Sequence, residues 1–360
     1  MKYRNDLKRR VLAGLFAGAA LCLATPAALA AGSPIPNGTL PSGGHFMVGG
    51  LDKNIVTNQA GNQMNITQSA TNAVIKWDSF NVGANATVNF KKDGGGNFNT
   101  LNYVNSANGM SQIYGAINAA EGNIYIVNPA GVEIGNSAQI NVGSLYVSNR
   151  NLDAFISDDM EMPDDIKDFI QKGNTTDAVL MSLGNVNADH VTFDGARIVI
   201  DTERLKDVNG DAKLTAGDII VRTNNDANVV IGYDAYVNED KDNDGQIDGY
   251  KNAAPNTGLA SVYVGNSDTT TNVAGYMWVE DVEQLQAIDT NLDGNYALRN
   301  SIDATATQDI NFTSIGDETN NFNGRFDGLD YNIFNLNIDR ADATNVGLFG
   351  VVGGSAVIKF

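Results

Sequence analysis

The sequence predicts an all-β chain folded as a parallel β-helix, a solenoid whose coils stack on one core. Two observations carry the prediction. From Gly43 to Ser148, short runs of alternating apolar residues follow one another, punctuated by Asn, Gly, Asp and Ser, and helical periodicity is absent. Within that region Ile124/Ile126, Val132/Ile134, Ile140/Val142 and Leu145/Val147 form inward-facing pairs with turns between them. Ile124 to Leu145 is a step of 21 residues spanning three turns, about one triangular coil of a stacked repeat. Asn and Gly suit the corners, because both tolerate positive φ and stacked Asn side chains can hydrogen-bond along the stack. A β-sandwich is the rival architecture, but strands this short with few two-residue hairpin links favour the solenoid.

The chain of 360 residues opens with a segment to set aside. Lys2, Arg4, Lys8, Arg9 and Arg10 precede an apolar run from Val11 to Leu23, and Ala28 and Ala30 frame a small-x-small cleavage site. This reads as a signal peptide over residues 1–30 for the general secretion machinery. Thr25-Pro26 breaks the run short of the ~20 apolar residues a spanning helix needs. Cys22 is the only cysteine, so the mature chain has none and disulfides cannot hold it. Removing five basic residues and Asp6 takes the net charge from −19 to −23. Such an acidic chain argues against nucleic acid and anionic membrane surfaces as partners.

Residues 31–155 form the expected β-helix domain. Residues 156–178 are a helical and loop insertion, in which Pro163 would be the first helical residue of a small helix near 163–172, Asp164 and Asp165 follow in its first turn, and Ile166, Phe169 and Ile170 form its apolar stripe. Packing over an edge of the solenoid is its expected role. Strands resume from Val179, and 179–275 continues the β-helix with long acidic turns. From Tyr276 the texture changes: "YMWVEDVEQLQAI" reads as helical, then coil-like runs extend to Phe360 with no polar capping unit, as expected of a fragment of something longer.

Three ordered blocks resemble the amino-terminal secretion domain of filamentous haemagglutinin-like exoproteins of two-partner (type V) secretion: "QMNITQSATNAVIKWDSFNVGANATVNF" (Gln63–Phe90), "SQIYGAINA" (Ser111–Ala119) and "GNIYIVNPAGVEIGNSAQINVGSLYVS" (Gly122–Ser148). The resemblance implies a right-handed parallel β-helix with short extra-helical decorations. It also implies export through the periplasm of a diderm bacterium to the cell surface or beyond, and recognition by an outer-membrane β-barrel transporter with periplasmic POTRA modules. Further along, "NFNGRFDGLDYNIFNLNI" and "VGLFG" resemble a GLUG-type repeat, placing β-coil repeats in 276–360. Ala130 departs from the family's turn, which often carries Asn there, while Gly131 keeps it.

The implied secretion motif comprises Asn128, Pro129 and Gly131 with Trp77, Ser79, Phe80 and Asn81. Pro129 suits the second position of a four-residue turn and cannot sit in a central ladder, Asn128 can close that turn with its side chain, and Gly131 supplies freedom at its exit. Alanine at 128 and 129 is expected to leave a folded domain but reduce secretion. Trp77 and Phe80 have opposite parity, so a regular strand would send them to different sides.

Two acidic loops resemble calcium sites. Asp207, Asn209, Asp211, Thr215 and Asp218 occupy the first, third, fifth, ninth and twelfth positions of one loop, with Ala212 where glycine is usual. Asp240, Asp242, Asp244 and Asp248 are placed likewise in the other, but Lys251 holds the twelfth position. Solvated turns in an acidic protein are the favoured reading of both loops, with calcium the alternative. No compact carboxylate pair is evident, and nothing pairs His45 with His190, so no catalytic residues are expected. The function expected is that of an adhesin-type exoprotein with an unknown host or cell-surface receptor. The alternatives are the delivery stalk of a contact-dependent inhibition toxin or, further off, a β-helix enzyme acting on polysaccharide.

Overall fold

The computed structural model describes residues 35–50, 61–234, 236–239, 249–252, 258–265, 267–310, 312–341 and 343–360. The expected signal peptide with Ala28 and Ala30, and the loop carrying Asp240, Asp242, Asp244 and Asp248, lie outside the described residues.

Period-2 alternation gives each strand an inner and an outer set of side chains. In strand Gln63–Gln68, Met64, Ile66 and Gln68 are buried while Gln63, Asn65 and Thr67 look outward. Strands of this kind stack in parallel on three faces of a β-helix. The first face runs through Asn72–Trp77, Phe98–Val104, residues 122–127 and 144–148, His190–Asp194, Ile219–Thr223 and Ser261–Val264. Antiparallel strands close it, His45–Val48 at one edge and Thr270–Thr271 at the other. The second face runs from Ser111–Ile113 through Val132–Ile134, Val179–Ser182, Arg197–Asp201 and Val229–Tyr233 to Tyr276–Val279 and Val357–Lys359. The third face holds Gln63–Gln68, Thr87–Lys92, residues 116–119 and 139–142, Asn185–Asn187 and Leu205–Lys206. Strands Ala116–Val127 and Gln139–Ser148 bend across a corner and serve the third face first and the first face next.

Register matches the expected coil: Ile124 pairs with Leu145 and Ile126 with Val147, 21 positions on. All eight predicted inward residues belong to one buried cluster that extends from Phe46 to Val262. Asn stacking occurs, though in strands rather than at corners. Asn89 donates to Asn65 (3.0 Å), Asn118 to Asn89 (3.0 Å), Asn141 to Asn118 (3.0 Å) and Asn187 to Asn141 (2.7 Å) on the third face. A shorter ladder links Asn123, Asn99 and Asn72 on the first. Strands keep equivalent residues about 4.8 Å apart from coil to coil, within reach of an amide–amide bond, whereas corners differ in length.

The insertion after Ser148 folds back over the outer side of the first face. Helix α1 (Ile166–Gln171) begins after Asp165, whose carboxylate accepts from the Lys167 and Asp168 N–H groups, so Pro163 and Asp164 precede the helix instead of opening it. Ile166, Phe169 and Ile170 pack with Val74, Leu101, Tyr103, Tyr125 and Tyr146, which are outward residues of successive coils. The helix therefore covers a sheet face and not an edge. Arg150 anchors its base through Asp194, Nε to Oδ2 at 2.7 Å and Nη2 to Oδ1 at 3.1 Å. Asn72 Nδ2 reaches its far side at the Pro163 carbonyl, 2.9 Å away.

A second cluster forms the core of the later coils, built on Tyr233, Met277, Val279, Leu285, Tyr296, Phe322 and Phe326. The stretch expected to be one helix divides here: Tyr276–Val279 is a strand beside Gly232 and Tyr233, and only α2 (Val282–Ala287) is helical, capped by Asp281. All four strand residues are buried, Met277 and Val279 in the coil core and Tyr276 and Trp278 in an outer cluster with Met181, Val199, Val230 and Leu329. A buried ion-pair group joins the two regions. Arg299 binds Asp201, which is fully buried, together with Glu280 at 2.8 Å, and Trp278 Nε1 donates to Asp201 at 3.3 Å. Burial pushes the Asp201 carboxyl above its usual range against the pull of Arg299.

Candidate functional site

Asn128-Pro129-Ala130-Gly131 forms a β-turn in which the Gly131 N–H donates to the Asn128 carbonyl at 2.9 Å. The Asn128 side chain doubles the closure by accepting from the Ala130 N–H at 2.8 Å. Gly131 lies at φ +103°, a left-handed value that a side chain would strain. The turn carries the chain from the first face to the second, between the ends of strands Ala116–Val127 and Val132–Ile134.

Asn128 is fully buried, and Pro129 is buried beside it. Asn128 Nδ2 donates to the Gly109 carbonyl and to Ser111 Oγ, each at 3.0 Å. The Ser111 N–H donates to the Gly131 carbonyl at 3.1 Å, and Thr176, at the exit of the insertion, donates to the Pro129 carbonyl at 2.7 Å. In the folded domain these two side chains thus build an interior and present no surface to a partner. Their burial also changes the expectation for alanine substitutions. Loss of Asn128 strands buried partners, at about 1–3 kcal/mol, so the folded domain is weakened directly.

The first quoted block meets the turn at the same place. Asn81 Oδ1 accepts from the Gln112 N–H at 2.8 Å, and the Val82 N–H donates to the Gln112 carbonyl at 2.9 Å. Ser79 exchanges backbone hydrogen bonds with Ser42, at 2.9 and 3.2 Å, tying the amino-terminal segment to the first coil. Trp77 and Phe80 both point into the main core, 5.4 Å apart edge to face. Opposite parity fails here because the regular strand ends at Trp77 and the bend at Asp78 resets the alternation. Trp77 packs under Gly44, where an added Cβ would lie 2.1 Å from its ring, and its Nε1 donates to the buried Asn102 Oδ1 at 3.1 Å.

Three separate blocks of sequence therefore converge on Ser111 and Gln112. Neither residue stood out in the sequence beyond lying in the second quoted block. Asn102 also went unmarked, and its one signal is an amide inside the otherwise apolar run Leu101–Val104.

The first acidic loop closes on itself. Asp207 Oδ1 accepts from the Asn209 and Asp211 N–H groups at 3.0 and 3.1 Å. Asp218 Oδ2 accepts from the Thr215 hydroxyl at 2.5 Å, while its Oδ1 lies 3.4 Å from His190 Nδ1. Among the described residues, no three His, Cys, Asp or Glu side chains gather as metal ligands.

Comparison with known proteins places these features in context. The profile of the TPS secretion domain matches residues 48–327. Halomucin of Haloquadratum walsbyi is 36% identical in an alignment of 115 residues that covers 29% of this chain and 1% of that protein. The crystal structure of the HMW1 secretion domain from Haemophilus influenzae aligns at 15% identity and a TM-score of 0.33, covering 79% of this chain and 62% of that one.

Proposed function

Because the chain belongs to the TPS secretion domain family, which places it among exoproteins exported across the outer membrane by two-partner systems, we propose that residues 63–148 act as the export nucleus of an adhesin-type exoprotein. In this reading the partner is a β-barrel transporter whose POTRA modules receive the chain unfolded in the periplasm. The convergence of Asn81, Ser111, Gln112 and Asn128 supports it. Ser111, Gln112 and Asn128 are buried in the folded state and so are open to a transporter only before folding, and with Asn81 they lock the first coils together after it.

Coil formation outside the cell then supplies the drive. Each new coil buries apolar surface worth about 25 cal/mol per Å², and repeat folding propagates from a formed nucleus. Trp77, Ser79, Phe80, Asn81, Asn128, Pro129 and Gly131 serve export through the fold they build. The coils of 276–360 are read as GLUG-type stalk repeats, and the chain as a non-enzymatic member of the filamentous haemagglutinin type with a receptor outside the secretion domain. The test is secretion in a reconstituted host with and without the cognate transporter. The reading predicts chain in the medium only with the transporter; equal release without it contradicts the reading.

A further inference from the structure

The three outer faces of the β-helix differ in kind. Apolar side chains stud the first and α1 covers them; those of the second lie under Leu329 and its neighbours. The third carries two rows of a different chemistry. One row is Gln63, Thr87, Ala116, Gln139 and Asn185, and the other is the Asn65–Asn89–Asn118–Asn141–Asn187 ladder. Gln63, Gln139 and Asn141 are exposed and the other seven are partly so. None of these ten positions is charged, in a chain whose net charge is −19. Among the described residues, lysines stand at the margins of this face, Lys91 and Lys92 at the end of strand Thr87–Lys92 and Lys206 at the end of the ladder.

We propose that this third face docks an extended, uncharged polysaccharide. Each inner amide of the ladder spends one N–H and one oxygen lone pair on its neighbours and keeps another of each for a ligand. The ladder holds those groups in place before binding, so little side-chain entropy is lost when a ligand arrives. They recur about every 4.8 Å, which suits a polymer that presents hydroxyls at regular intervals. Neutrality of these rows offers no partner to a polycation, and the net charge of −19 disfavours a polyanion. A protein partner would need an apolar centre, and Ala116 is the one apolar residue of the ten.

The proposal concerns the folded chain alone and stands apart from the export reading. It is tested by co-sedimenting the purified mature chain with suspended cellulose, chitin and β-1,3-glucan, each at low salt and at about 0.5 M NaCl, where surface charge attraction is screened. Retention on at least one of them, undiminished by salt, is expected. The double variant Gln63→Glu/Gln139→Glu, which leaves the ladder bonds and the core untouched, should keep its melting temperature and lose at least about tenfold in apparent affinity. No retention on any of the three, release by salt, or equal binding of the double variant would overturn the proposal.

Discussion

The coils of residues 63–148 and those after residue 233 solve the same problem by different means. In the first region the coil steps stay between 21 and 29 residues: Asn99 pairs with Asn123, 24 residues on, and Ile124 with Leu145, 21 on. Apolar stacking and two Asn ladders hold it together. In the second, Met277 pairs with Tyr296 but Asn295 with Arg325, so steps of 19 and 30 follow each other. There a buried ion-pair group takes the place of the ladders. A regular repeat can satisfy its polar groups coil to coil, while the later coils do so through long-range partners such as Asp201 and Arg299.

The largest way to sharpen that contrast is Arg299→Ala. It leaves Asp201 buried and without its main cation, which costs about 3–5 kcal/mol. Hydrogen exchange should show lost protection across 276–359 with 63–148 still protected; uniform loss would erase the distinction between the regions. Phe169→Ala comes next, at about 3 kcal/mol for a nearly buried aromatic, and acts on the other side. It should loosen α1 and quicken protease cleavage within 151–178 while the second region stays unchanged. Asn128→Ala should then cost about 1–3 kcal/mol, read as a lower urea midpoint.

Acid gives the smallest effect. Burial would raise the Asp153 carboxyl, but hydrogen bonds from Ser106 and Tyr103 hold it below its ordinary range. A depressed folded value means that its stabilisation is complete above the unfolded value and is lost as pH falls through the folded one. Stability of the insertion should therefore decline below about pH 4, where an unfolded aspartate begins to take up its proton. Asp153→Asn should flatten that part of the pH profile.

These differences also mark what the sequence could say. Alternation and the 21-residue step made the coils legible because burial on a stacked core enforces a period of two and, where the corners are short, a similar return. The turn at Asn128 was legible too, since Asn, Pro and Gly each carry a local conformational preference. The path of the insertion was hidden: nothing local tells Ile166 and Phe169 to lie on Tyr103 and Tyr125 from distant coils. Trp77 and Phe80 misled for the opposite reason, because a single bend at Asp78 cancels parity. The meeting of Asn81 and Asn128 at Ser111 and Gln112 depends on coil register, which emerges only when the stack is assembled.

The central claim is that the buried block residues serve export through the fold they form. Secreted fraction in cells carrying the transporter, set against the urea midpoint of the same purified variants, tests it most directly. Asn128→Ala should fall on both axes. Pro129→Ala keeps the Asn128 bonds and should stay near wild type on both. A Pro129→Ala chain that is as stable as wild type yet is not secreted would contradict the account.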